Sequence, residues 1–525
     1  MSKGIRIRQN NFAKVVLITC AIFTLSFFAW FNIAKPNTNF AYAAGGTPCT
    51  ASDFVTLQSC INGTATNAET DIAVTTDITM TAGFSLPTNT TIVLDCGGNS
   101  LLRNTTDSLF YSLISANATL TISNCILDGQ NLSTSAALIR MYSGTLNLEN
   151  GATLQNGDNT GSGGAVMSTA PSVVNMSAGA IIQDNYSPST GGINVYTLNM
   201  TGGEIINNSS TNEGGLYVQG AGSVQITGGT VSGNSATQTG GGIFIGSGAT
   251  VDISGVTFAN NTAGATGGAI YNLGGSLTIA NSTFTNNLAT AAAGAIGGGA
   301  IGMNGGSLNV TDGTFTSNTA NPSNGGAINA NLIASDISIT DSTFQNNSSF
   351  RSGGAIFVGG TGTLTLDGDQ FIGNSATTYG GGALVLSSIP TNIKSSVFRD
   401  NSAGTNGGAI TMDGDAATNL ADLANLTVDK NTTFSGNTAQ SFSRMDRADQ
   451  ALYDAHIFAT AFSLPAPFNG YNNYDIHYES DLTTDICPYN LSLWADEVNC
   501  VKPTEPETPT PPVTVVPEAP NTGVL

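Results

Sequence analysis

Charge is what this chain has least of. Only 9% of its 525 residues are Asp, Glu, Lys or Arg, against about a quarter in an ordinary soluble domain. Basic residues are scarcer still, with 14 Lys and Arg against 35 Asp and Glu, and there are only two histidines and two tryptophans. That balance argues against phosphate-rich partners, so neither nucleic acid nor direct binding to an anionic membrane surface is expected. Within the repeats described below, no segment is long and periodic enough for a helix, because Gly or Asn interrupts each one. Asn, Thr, Ser and 64 glycines occupy the space that charge leaves.

The first residues read as an address. Lys3, Arg6, Arg8 and Lys14 form a basic leader, Val15 to Ile33 is an apolar run, and Ala41-Tyr42-Ala43 is a small-x-small site. This is the pattern of a secretory signal, residues 1–43, cut after Ala43. The run is long enough for an uncleaved anchor helix, but Lys35-Pro36 and the small-x-small site favour cleavage. Leu17-Ile18-Thr19-Cys20 is a poor lipoprotein box, since Thr precedes the cysteine and the apolar run continues past it. Cleavage removes five of the 14 basic residues and none of the 35 acidic ones, leaving nine and a net charge near −26.

Seven cysteines become six once Cys20 leaves with the signal. An even count in a secreted chain suggests disulfides, with connectivity open. Proximity pairs Cys49 with Cys60 and Cys487 with Cys500. Cys96 and Cys125 close two similar strands, Ile92-Val93-Leu94-Asp95 and Thr121-Ile122-Ser123-Asn124. If one coil separates them, their sulfurs stack on neighbouring rungs, either as a bridge or as two buried thiols.

The dominant signal is a repeat. Phe-x-x-Asn occurs at Phe258/Asn261, Phe284/Asn287, Phe315/Asn318, Phe344/Asn347, Phe371/Asn374, Phe398/Asn401 and Phe434/Asn437. Between these pairs lies Gly-Gly-Ala followed by an aliphatic residue, at Ile243 (after Gly242 in place of Ala), Ile270, Ile301, Ile328, Ile356, Leu384 and Ile410. Successive spacings of the aliphatic residue are 27, 31, 27, 28, 28 and 26, which is the signature of a solenoid. One unit, Gly267 to Asn287, contains three short extended segments. The middle one alternates, with Leu277 and Ile279 on one face and Ser276 and Thr278 on the other.

Such a unit cannot bury a core alone, but stacked copies pair each strand with those above and below. The expected fold is all-β, a right-handed parallel β-helix by the general rule for parallel crossovers. Phe and the aliphatic residue should form inward ladders. Asn should take the left-handed turn conformation and bond its amide to that of the next coil. Gly-Gly should mark where a side chain would collide or φ must be positive.

The repeat weakens upstream but persists at Gly163-Gly164-Ala165-Val166, Ile182/Asn185, Ile205/Asn208 and Val231/Asn234. Residues 65–440 then make roughly 14 coils, a rod about 65 Å long at about 4.8 Å per rung. Residues 44–64 and 441–500 are the expected caps, and the second holds His456, His477 and Trp494. Residues 501–525 form a Pro/Thr/Glu-rich spacer that cannot pack a core.

Alternating Gly-Gly-Ala-Ile and Phe-x-x-Asn resembles the repeat of the polymorphic outer membrane protein family, clearly over 240–437 and more weakly back to about 160. The resemblance implies a right-handed parallel β-helix displayed at the bacterial surface, with an adhesin-like role. The chain departs from that family at its C-terminus, where no ten-residue barrel strands with aromatic girdles follow. Instead Pro520-Asn521-Thr522-Gly523 resembles a sortase signal, with Ala519 where Leu would stand and cleavage between Thr522 and Gly523. Linkage to peptidoglycan is then expected. Only Val524 and Leu525 follow, so either the sequence is truncated before the helix and basic tail of such signals, which is the favoured reading, or the signal is vestigial or coincidental.

Catalysis is not expected. The alternative, a polysaccharide lyase or glycoside hydrolase of the pectin-lyase-like fold, resembles families that cluster Asp with Lys, Arg or His on one strand face. Here Arg103, Arg140, Arg351, Lys394, Arg399 and Lys430 are scattered, and no histidine is expected in the coils. Asp367/Asp369 and Asp413/Asp415 could cradle calcium on a shared edge, although turn aspartates are the simpler reading. His456 and His477 lack metal-ligand spacing, so neither a metal nor a cofactor is assigned. An ice-binding face is disfavoured because Thr-x-Thr is not kept in register over many coils. The ligand of a surface rod should meet the loops that vary, notably Leu288 to Gly297 and Phe350-Arg351.

Overall fold

The computed structural model describes residues 46–113, 117–290, 296–333, 336–387, 389–405, 407–412, 426–429, 431–439 and 476–478. These form an all-β right-handed parallel solenoid of about 13 turns. In the coil from Ile270 to Ala289 the chain runs through Ile270–Asn272, Ser276–Ala280, Thr283–Thr285 and Leu288–Ala289. The sequence implied three segments, and the structure has four. The additional one is a two-residue strand after the Asn corner, kept in register by its copies above and below. Stacking gives sheets of 27, 14 and 12 strands. The largest holds the first two segments of each coil, which fuse into one strand at Ile193–Met200 and again at Leu216–Ile226.

The core is built from vertical columns. Phe258, Phe284, Phe315, Phe344, Phe371, Phe398 and Phe434 stack with ring centroids 4.6–5.1 Å apart and planes within 3–9° of parallel. The aliphatic column, from Leu216 through Ile243, Ile270 and Ile301 to Ile410, shares one register and is buried throughout. Leu277 and Ile279, with their equivalents in other coils, supply a third wall.

Asn of Phe-x-x-Asn forms a fourth column at the corner, buried like the other three. The Asn287 side chain donates from Nδ2 to Phe258 O of the preceding coil and to Oδ1 of Asn318 in the next, both at 3.0 Å. Its backbone N–H donates to that same Oδ1 at 3.0 Å. Asn261 reaches back to Val231 O in the same way, Asn347 to Phe315 O, Asn374 to Phe344 O and Asn401 to Phe371 O, at 2.8–2.9 Å. Amide-to-amide bonds link Asn185 through to Asn437.

The left-handed conformation expected of these asparagines is not theirs, and this is a correction. Asn261, Asn287, Asn318, Asn347, Asn374, Asn401 and Asn437 all lack a positive φ, which falls instead on the residue before each. Asn207, Asn260, Asn286, Ser317, Asn346 and Asp400 have φ of 55–57°, and Gly233, Gly373 and Gly436 have φ of 64–66° in the same slot. The column Asn must hold its amide parallel to the axis, so the preceding residue absorbs the turn. The glycine pair divides its labour. Gly267 has φ +66°, whereas a Cβ on Gly268 would lie 2.2 Å from Gly299 O of the next coil.

At the N-terminal end the strand Thr47–Ala51 pairs with Glu69–Val74, and a helix α1 (Phe54–Asn62) buries Leu57, Cys60 and Ile61 against the first rungs. Asp53 caps α1, accepting from Thr56 N at 2.8 Å. Cys49 is bridged to Cys60, tying strand to helix. Cys96 is bridged to Cys125, joining neighbouring rungs, so the second cysteine pair is a bond rather than two thiols. The signal segment 1–43, Cys487, Cys500, His456, Trp494, Thr522 and Gly523 lie outside the described residues. Of the segment 441–500, Ile476–Tyr478 is described, and it adds a rung by pairing with Ile410–Met412. His477 therefore stands in register with Thr411, contrary to the expectation that no histidine lies in the coils.

The columns predict an asymmetric response to mutation. Phe315→Ala should cost about 3–5 kcal/mol as a large-to-small core change, and Thr314→Ala, on the outer face beside it, about 0.5 kcal/mol or less. Urea unfolding followed by circular dichroism checks this, and equal losses would contradict the inward assignment.

Candidate functional site

The residues whose chemistry drew attention in the sequence are not gathered together. Arg103 points inward and is buried, its Nη2 donating to the carbonyls of Asp107 and Ala136 at 2.7 and 2.8 Å. Burial lowers its pKa to about 10 despite the nearby charges of Asp107 and Asp158, so it stays a cation at neutral pH. Arg140 donates to Ser135 O, Arg351 lies 5.5 Å from the centre of the Tyr379 ring, and Arg399 pairs with Asp400 at 3.6 Å. Lys394 is exposed, and Lys430 lies outside the described residues. Among the described residues no three His, Cys, Asp or Glu come close enough together to hold a metal ion.

The repeat asparagines are equally unavailable to a ligand. Asn261, Asn347, Asn374 and Asn401 have no exposed surface, and their amides are taken up by the column.

Asp369 has a structural task. At the corner before the Phe strand a second column links coil to coil: Gly313 N donates to Ser342 Oγ, Ser342 N to Asp369 Oδ1, Asp369 N to Ser396 Oγ and Ser396 N to Thr432 Oγ1. Asp369 thus takes a slot that hydroxyl residues fill in neighbouring coils. Its Oδ2 accepts from Asp367 N at 3.1 Å, so both oxygens are committed to backbone donors rather than turned toward a cation. Burial pushes its pKa up to about 7, and Asp341 and Asp367 add to that push against the two N–H donors. Asp413 and Asp415 lie outside the described residues.

One surface does concentrate chemistry, and it lies outside the residues that the sequence singles out. On the strand after Gly-Gly-Ala, the residue following the inward aliphatic points outward. In three successive coils it is aromatic: Tyr217, Phe244 and Tyr271, in one register. Their ring centroids are 5.2 Å apart at both steps, with interplanar angles of 70° and 59°. Tyr217 and Phe244 are half-buried and Tyr271 is 8% exposed.

Glu213 flanks this shelf on the loop side, where Thr190 Oγ1 donates to its Oε2 at 3.4 Å. Burial pushes Glu213 up to about 7. Burial raises the Tyr217 hydroxyl as well, and the Glu213 charge adds to it. At the upstream end Gln219 Nε2 donates to Asn194 Oδ1, and Asn194 Nδ2 to Ser162 Oγ, both at 2.6 Å. At the downstream end burial raises the Tyr271 hydroxyl, and Asn304 nearby lowers it in part. The other flank is low, formed by the glycine-rich turns Gly220-Ala221-Gly222, Gly246-Ser247-Gly248 and Gly274-Gly275. An aromatic following the aliphatic residue in three consecutive repeats was the signal that could have found this shelf.

A threonine row is also visible. Thr230, Thr257, Thr283, Thr314 and Thr343 share one register on the outer face of the Phe strands. The adjacent row is mixed, with Ser232, Ala259, Thr285, Thr316 and Gln345, so paired Thr-x-Thr spans two coils.

Residues 191–388 match a family model described as a right handed beta helix region. No curated protein and no solved structure matches the chain. The matched stretch begins at Gly191-Gly192 and contains Tyr217, Phe244 and Tyr271.

The buried carboxyl gives a pH signature. Asp369 has a folded pKa of about 7 against an ordinary 3.8, so between these values the folded state holds a proton that the unfolded state has lost. Its contribution is therefore fully present below about pH 4 and is lost as pH rises through about 7. Asp369→Ser, which restores the hydroxyl of neighbouring coils, should raise the melting temperature at pH 8 and less so at pH 5. The gain is at most about 4 kcal/mol at 1.36 kcal/mol per unit. A melting temperature unaltered at pH 8 would contradict it.

Proposed function

We propose that this chain is a secreted bacterial cell-surface rod, adhesin-like and without catalysis, which presents its outer face to host cells, matrix or neighbouring bacteria. The observation that carries this reading is that the residues that define the repeat, Phe, the aliphatic residue, Asn and Gly-Gly, are consumed inside the rod. The Phe, aliphatic and Asn columns are buried, and both glycines of each pair serve backbone geometry. Only the positions between them are free to recognise anything.

Those positions vary as a recognition surface should. The spacing of 31 from Ile270 to Ile301, against 26–28 elsewhere, accommodates the longer loop after Leu288–Ala289. Phe350 is exposed at 45%, and Tyr379 at 41% lies beneath Arg351. The basic leader, the Pro-rich spacer and the sortase-like Pro520-Asn521-Thr522-Gly523 support secretion and wall attachment. The scattered cations give little support to a lyase or hydrolase, whose case rests on fold analogy.

Deleting the gene should reduce attachment of the producing cell to at least one host cell type, matrix protein or bacterial partner. Unaltered attachment to every surface tested would leave a coat role only. Incubating the purified chain with uronate polymers and calcium should release no unsaturated product, as followed by ultraviolet absorbance. Release of such product would replace this reading with the lyase alternative.

A further inference from the structure

We propose that the shelf of Tyr217, Phe244 and Tyr271 is a docking site for a neutral polysaccharide chain lying along the rod axis. This rests on the reading of the protein as a binding rod and names the class of its ligand. Three observations point to sugar rather than to another partner.

The first is the rings themselves. They lie on the outer face, contribute nothing to the Phe column and stand 5.2 Å apart; Tyr217 and Phe244, half-buried, offer ring surface to solvent, and Tyr271, 8% exposed, closes the downstream end of the strip. Apolar ring surface bordered by a few fixed polar groups is the usual make-up of a small-ligand site. The second is the border. Gln219 Nε2 is fixed by Asn194 Oδ1 and Ser168 O, and Asn194 by Ser162, which leaves the Gln219 carbonyl oxygen and the Glu213 carboxyl on the loop side as acceptors for the hydroxyl groups of a ligand. The turns Gly220-Ala221-Gly222 and Gly246-Ser247-Gly248 on the opposite flank carry only small side chains, which leaves room for a ring to settle on Tyr217 and Phe244, and Leu273, 38% exposed, borders the downstream end.

The third observation is charge. No basic residue lies in the strip: the described cations of the coils, Arg103, Arg140, Arg351, Lys394 and Arg399, all fall outside 190–304. An anionic polymer would find no counter-charge there and would meet an acidic rod. A protein partner would bury more apolar surface than three tilted rings offer.

Affinity electrophoresis of the purified full chain in gels containing hydroxyethylcellulose, xylan, galactomannan or glycogen tests the assignment, with polygalacturonate as the anionic comparator. At least one neutral polymer should retard the chain, and polygalacturonate should not. Phe244→Ala should weaken retardation at least tenfold. Ser247→Arg, an exposed change in the low flank, should do the same while leaving the core untouched. Melting temperatures confirm that both variants are folded. Absence of retardation by all four neutral polymers, stronger retardation by polygalacturonate, or retardation that survives in both folded variants would overturn the proposal. If attachment of the producing cell persists in any of those cases, this inference falls and the surface-rod reading stands.

Discussion

The column of buried asparagines is the constraint on which the rest of this rod depends. In the interior of the column each amide uses its full hydrogen-bonding capacity: Nδ2 gives one proton to the carbonyl of the preceding coil and one to the next Asn, and Oδ1 receives two bonds from the Asn before it. A buried amide left unpaired costs about 1–3 kcal/mol, and in a stack of this kind the loss spreads to both neighbours. Register is therefore specified by polar groups as well as by hydrophobic ones. A slip of one residue would break the column and turn each strand's apolar set outward.

From that column follows much of what lies outside it. Fixing the corner fixes where each Phe strand begins and ends, so rings stack within 3–9° of parallel in the interior. It also aligns exterior residues coil upon coil, whether or not they take part in folding. Surface rows arise at no further cost in conformational entropy, since the strand bearing them is already ordered. Length varies between the two-residue strand and Gly-Gly, as after Leu288–Ala289, and between the first two strands of a coil, as from Ile410–Met412 to Leu426–Val428, and in both places the extra residues leave the columns in register. Where an acid enters a column slot, as Asp369 does among Ser342, Ser396 and Thr432, the same rigidity holds it away from water.

Much of this architecture could be read in the sequence, because the inward positions repeat strictly. Period, fold class, the Phe and aliphatic columns and the amide stacking all follow from residues whose role is the same in every coil. The left-handed corner was misplaced by one residue, onto Asn261, Asn347, Asn374, Asn401 and their equivalents. Asn, Gly, Asp and Ser interchange at the true slot, whereas the unvarying Asn beside it draws the eye. The fourth strand was missed because two residues show no periodicity of their own, and their pairing exists only through neighbouring coils. The Cys96–Cys125 bridge was left open since stacked thiols and a bond demand the same spacing. The rung at Ile476–Tyr478 was invisible for another reason. It rejoins the stack after a segment with no repeat, so nothing local marks it.

The aromatic shelf is faint in the sequence because its slot does not repeat strictly: it holds Asn194, Gly302 and Asn329 among others, and is aromatic in succession only at Tyr217, Phe244 and Tyr271. Their geometry argues that they answer to a different requirement from the interior phenylalanines. Inside, close packing on every side leaves one arrangement, and the rings are coplanar. Outside, the backbone sets nearly the same separation, 5.2 Å, but Tyr217 and Phe244 are packed less closely than the interior rings, and the three rings stand at 59–70°. Removing an interior ring must open a cavity in the rod, whereas removing half-buried Phe244 mainly trims a surface. The interior columns and the outer rows lie on opposite faces of the same strands, so exposed outer residues can change in sequence without disturbing the columns that hold the rod together.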